Sequence, residues 1–152
     1  MVKFFELIRG GGERERVAPK EERTYEEQMD ELTSWNIEHT DILKILRQEI
    51  NEERLARWSE ALERGVRRHL DPKWVTNEAA PLMAVYRDLY RFVKEMRVRL
   101  LGHPSVQGMK SLERSDSLVV CILCGIRALQ KERGAKRPID TLQWMILERY
   151  LG

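Results

Sequence analysis

Cys121 and Cys124 are the chain's only cysteines, and they stand three residues apart as Cys-Ile-Leu-Cys. On a helix that spacing turns both sulfurs to one side, as a pair of zinc ligands or a redox couple would require. A tetrahedral zinc site needs two more ligands, and the three histidines, His39, His69 and His103, are scattered singly. A redox pair works from an exposed helix start that stabilises its thiolate, whereas this pair ends the apolar run Leu118–Cys124. Both thiols are therefore expected to pack in the core as small apolar groups, with no metal and no cofactor.

The other reactive residue types form no motif. Glu26-Glu27, Asp30-Glu31 and Glu52-Glu53 are neighbours in sequence, so each pair splays over a helix surface. They belong to no His-Glu-x-x-His pattern and no calcium loop, and read as a solvated face. Ser105, Ser111, Ser115 and Ser117 occupy a loop or helix start, where serines cap and turn, and none sits in a nucleophile elbow. Gly10-Gly11-Gly12 lacks the downstream Gly-Lys-Ser/Thr of a phosphate loop. Tyr86-Arg-Asp-Leu89 matches a Tyr-x-x-Leu sorting pattern, but both end residues fit the inner side of a helix. No catalytic residue is assigned, and the chain reads as a non-enzyme.

The basic residues carry more information. The net charge is only +2, yet residues 1–53 carry a net of −6 and residues 54–152 a net of +8. Such polarity offers a cationic surface to an anionic partner, unless the two halves neutralise each other in the fold or in an oligomer. Three groups stand out: Arg64, Arg67 and Arg68 beside His69; Arg87, Arg91, Lys94 and Arg97, with Arg99 at the edge; and Lys136 and Arg137, with Lys131 and Arg133 before them. Arg dominates over Lys, which suits bidentate phosphate contact. If the groups converge, they form a surface for RNA or DNA.

Helices must position these side chains. Thr24-Tyr-Glu-Glu27 has capping-box spacing and predicts a helix from Tyr25 to about Glu38, with Tyr25, Met29, Leu32, Trp35 and Ile37 as its apolar side. Thr40 or Asp41 caps the next, whose pattern slips once near Asn51 and ends at Asp71-Pro72. A short turn carries Trp74. The strongest stripe, Leu82, Val85, Leu89, Phe92, Met96 and Leu100, predicts a helix over about 78–101, stopped by Gly102. Arg87, Arg91 and Lys94 fall opposite that stripe. A helix over about 116–133 is apolar all round at Leu118–Cys124 and should be central. Asp140-Thr-Leu-Gln143 caps a last helix resting on Leu142, Met145, Ile146 and Tyr150.

No segment alternates with period two. The expected fold is all-α: a compact bundle of five or six helices over residues 24–152, preceded by a short apolar helix and a charged tether in residues 1–23. Phe4, Phe5 and Ile8 share one side of that leading segment and could dock on a protein partner, on a second copy or, with less electrostatic help, on a membrane surface. Two cysteines, no signal-like leader and no run of ~18 apolar residues point to an intracellular place, cytoplasmic or nuclear. This layout of apolar helix, charged tether and α-domain with a basic face is similar to that of small viral matrix, accessory and nucleocapsid-associated proteins, though no motif carries the likeness residue by residue. The function expected is a non-enzymatic interaction protein that binds a protein partner or itself and meets an anion such as RNA or DNA. The alternatives are a peripheral membrane or scaffold protein anchored by Phe4, Phe5 and Ile8, and a helical metal-binding domain or enzyme without a readable motif.

Overall fold

A computed structural model of the chain describes residues 24–74, 79–107 and 115–152. The described residues form seven α-helices and no strand: α1 (Tyr25–His39), α2 (Ile42–Glu49), α3 (Glu52–Glu63), α4 (Val66–Leu70), α5 (Ala80–Leu101), α6 (Ser115–Glu132) and α7 (Thr141–Leu151). The all-α expectation holds. A 3-10 turn, Pro72–Trp74, follows α4.

The helix starts follow from local chemistry. Thr24 accepts the Glu27 N–H while the Glu27 carboxylate accepts the Thr24 N–H at 2.8 Å, so two otherwise unpaired donors are satisfied. Asp140 and Gln143 close the same box at α7. Asn51 caps α3 by accepting the Arg54 N–H at 2.7 Å, which resolves the slip near Asn51 into a break between α2 and α3. A second break was not legible: Gly65 takes φ +93°, open to glycine at little cost, and separates α3 from α4. That break accounts for the extra helix.

Helix α6 is the axis. Every residue from Ser117 to Gln130 is buried, and α1, α2, α3 and α5 all pack on it. α2 lies against Gly125, where a Cβ would fall inside contact distance of Leu46 Cδ1 and 3.3 Å from Ile42 Cγ2. Glycine is required there by close helix approach, not by backbone freedom. One large apolar cluster joins α2 through α7. α1 adds a smaller one, Met29 and Leu32 against Val120 and Cys124.

Two buried faces differ from the expectation. On α1 the inner line is Met29, Leu32, Thr33 and Asn36, while Ile37 is exposed. Thr33 and Asn36 can go inside because each donates to a carbonyl one turn back, of Met29 and Leu32 respectively, at 2.7 and 2.8 Å. On α7 the buried residues are Thr141, Gln143, Trp144 and Leu147, whereas of the expected stripe Leu142 and Tyr150 are exposed and Met145 and Ile146 half-buried. Both stripes have helical spacing; Trp144 decides between them, since it has the most apolar area to bury and stacks on Tyr90 at 5.1 Å.

Arg127 is the unexpected core residue. Its side chain is 0% exposed, yet its guanidinium donates to the Ile139 carbonyl at 3.1 Å, to Asp30 at 3.1 Å and to Glu26. The two carboxylates are on α1 and keep some exposure. An unpaired buried charge is far costlier than a paired one, so α1 is held where its acids can reach α6.

Gly125→Leu should overpack the α2–α6 contact and lower stability by about 1–3 kcal/mol, read as a fall in Tm. Glu26→Gln with Asp30→Asn should cost about 3–5 kcal/mol by stranding the Arg127 charge. Adding Arg127→Met to that pair should recover much of the loss in denaturant unfolding, because a packed apolar chain replaces an unpaired cation.

Candidate anion-binding surface

Helix α5 holds the second basic group, and its roll is set by contacts on both flanks. On one side Asp88 accepts Arg54 in a bidentate pair at 2.8 and 2.9 Å, and the Trp58 indole N–H at 2.9 Å. The Arg54 guanidinium also lies over the Phe92 ring at 4.9 Å. Tyr86, fully buried, donates to the Ala61 carbonyl at 2.8 Å; burial pushes its hydroxyl up to about 12. On the other side Tyr90 stacks on Trp144. Tyr86 and Leu89 are thus core residues, the structural reading of the Tyr-x-x-Leu match.

These contacts leave Ala84, Arg87, Arg91, Glu95 and Val98 on the outward ridge, all exposed, so one acid is interleaved with the arginines. Val98 is 64% exposed. Arg87 and Arg91, one turn apart, have no acidic partner among the described residues. Lys94 is half-buried on the same ridge, its ammonium 5.9 Å from the Tyr90 ring. Arg97 is half-buried on the flank, with its Nε inaccessible and without a hydrogen-bond partner among the described residues. Arg99, at the opposite edge, is engaged by Glu49 at 3.0 and 3.1 Å.

Several members of the other two basic groups are paired with acids of the fold. Arg64 and Lys136 come to the C-terminal end of α3, but there they face Glu60 at 3.8 Å and Glu63 at 4.0 Å. Arg67 and Arg137 are exposed; Arg68 is exposed and already interacts within the fold. Lys131 pairs with Asp30 at 2.7 Å, and Arg133 with Glu52. The acids of the first third, read as a solvated face, are in good part these partners: Glu26, Asp30, Glu49 and Glu52 each meet a cation from beyond residue 54. The neighbouring pairs do splay, Glu26 to Arg127 and Glu27 to its cap, Glu52 to Arg133 and Glu53 to Arg57.

Carboxyl acidities follow the same partners. The Arg54 hydrogen bond, more than Trp58, holds Asp88 below the usual carboxylate range. Arg99 and Arg47 do the same for Glu49 and Glu132. Asp30 feels some burial that raises it, but Lys131 and Arg127 prevail and it too is lowered. A surface cleft of about 450 Å³ opens where α2, α3 and the end of α6 meet. Its charges are self-paired, Arg47 with Glu132 at 2.8 Å and Arg133 with Glu52, so it presents no group with free reactivity.

The cysteines lie where the apolar run put them. Both are fully buried. Burial raises both thiols, Cys124 to about 12, so at neutral pH neither is a thiolate. Among the described residues no three His, Cys, Asp or Glu side chains gather as metal ligands. Among the described residues no helix is long and apolar enough to cross a membrane. Phe4, Phe5 and Ile8, the expected docking residues, lie outside the described residues. Comparison with protein-family models, curated proteins and solved structures finds no match to this chain.

Sequence reasoning missed Arg54 and Arg127, whose guanidiniums tie α3 to α5 and α6 to α1. Arg127 had one available signal: it falls three residues after Cys124, on the side of a wholly apolar helix, where a charge demands a partner. Asp88→Asn should lower stability by about 1–2 kcal/mol, after allowance for the partial exposure of the pair. The wild-type contribution is complete above the ordinary aspartate value of about 3.9 and disappears as pH falls through the depressed folded value. The variant's urea midpoint should therefore fall less steeply with acidification than the wild type's.

Proposed function

We propose that the protein is a non-enzymatic helical interaction protein whose α5 ridge, centred on Arg87, Arg91 and Lys94, meets an anionic partner such as RNA or DNA. One observation carries the reading. Cations elsewhere in the second part of the chain, Arg54, Arg99, Arg127, Lys131 and Arg133, are taken up by acids of the fold, whereas Arg87 and Arg91 project outward from a rigid 22-residue helix without one among the described residues. Exposed arginines a turn apart on a straight helix match phosphates along a strand, and each such contact releases counterions. Val98 extends the ridge with an apolar surface, which would serve a base edge, a sugar or an apolar side chain. An accessory or nucleocapsid-associated role, in an oligomer or with a second protein, is compatible with this ridge.

The test is binding of a short RNA and a short DNA, followed by fluorescence anisotropy across salt. The wild type should bind at low salt with log affinity falling linearly against log salt. Arg87→Glu with Arg91→Glu and Lys94→Glu should abolish that binding while helicity is unchanged. Neutral alanine versions should reduce the salt slope by about one for each phosphate contact removed. Undiminished binding by the triple variant would take the ridge out of consideration.

A further inference from the structure

Helix α7 turns a second, apolar face outward. Leu142 is 44% and Tyr150 47% exposed, and Met145 and Ile146 between them are half-buried. Their spacing of three, one and four residues makes a continuous strip about 12 Å long. Only Ile146 of the four also reaches the main core. A strip of this kind on a helix end is an energetic liability in water unless something covers it.

The described chain enters the fold beside this strip. Tyr25, at the start of α1, has its hydroxyl hydrogen-bonded by the Leu142 backbone, with Asp140 close by. Residues 1–23 therefore join the domain next to the first residue of the strip. Fifteen residues separate Ile8 from Thr24, a length that can span up to about 50 Å, ample for the whole strip. Tethering sets an effective concentration in the millimolar range, so a weak apolar contact made in cis is favoured over the same contact with a free partner.

We infer that the outward face of α7, Leu142, Met145 and Tyr150, is the docking surface for the chain's own apolar segment Val2–Ile8, with Phe4, Phe5 and Ile8 as the buried side chains. This inference does not rest on the anion-binding reading, since the strip and the α5 ridge are separate surfaces and either can fail alone.

The experiment uses the full chain with Phe5→Cys and Met145→Cys. The native thiols do not compete, because Cys121 and Cys124 are fully buried. Mild oxidation should give mostly intramolecular disulfide, seen as a faster monomer band on a non-reducing gel. Phe5→Cys with Ile37→Cys, an exposed position twelve residues down α1, should give little. Equal cross-linking of both pairs, absence of cross-linking in both, or disulfide-linked dimers as the main product would overturn the inference, the last in favour of a second copy as occupant. In a separate arm with no substitution in the domain, deleting residues 1–12 should raise ANS fluorescence several-fold with helicity of the remainder unchanged. No rise on deletion would equally overturn it.

Discussion

A guanidinium with no access to water sets the terms for this fold. Arg127 sits on α6, the helix on which α1, α2, α3 and α5 all pack, and its charge is tolerated because Glu26 and Asp30 reach it from α1 and the Ile139 carbonyl reaches it from the approach to α7. Three segments far apart in sequence are tied to one side chain. The apolar contacts of α1 are few, Met29 and Leu32 against Val120 and Cys124, and its buried line includes two polar residues. Its register on α6 is thus fixed less by hydrophobic area than by which acids face which cations. Lys131 on Asp30 repeats the same logic one turn on.

The charge asymmetry of the sequence has its physical meaning here. An acidic first third and a basic remainder are brought together as ion pairs at helix ends, Glu49 with Arg99, Glu52 with Arg133, Asp30 with Lys131. Most are exposed and individually worth little; collectively they use up the charge that the sequence totals present as free. On the outward side of α5, by contrast, Asp88 is turned to Arg54 and Trp58 while Arg87 and Arg91 are exposed. The same buried contacts that satisfy Asp88 orient Arg87 and Arg91.

The helices were legible because their starts are written in side chains: Thr24 with Glu27, Asn51, and Asp140 with Gln143. The centrality of α6 was legible from its apolar run. The face of α7 was not, because Leu142, Met145, Ile146 and Tyr150 form as regular a stripe as the one actually buried, and only tertiary packing of Trp144 on Tyr90 separates them. The break at Gly65 was hidden since a lone glycine does not announce a positive φ. Of the basic residues, the outward placement of Arg87 and Arg91 followed from the α5 stripe. The neutralisation of Lys131, Arg133 and Lys136 did not, because pairing with Asp30, Glu52 and Glu63 from far along the sequence is a property of the fold and not of any local pattern.

Under the proposed reading the α5 ridge carries the charge that meets a partner while the paired cations hold the fold, and a residue-resolved titration separates the two most directly. A short RNA added at low salt to the ¹⁵N-labelled chain should shift the amides of Ala84 to Val98 on their outward turns, together with the arginine Nε signals of Arg87 and Arg91. Arg54, Arg127 and the amides around Asp30 should stay unmoved. Shifts centred instead on the paired clusters around Glu52 and Asp30, or no shifts at all at low salt, would contradict the division of charge on which the account rests.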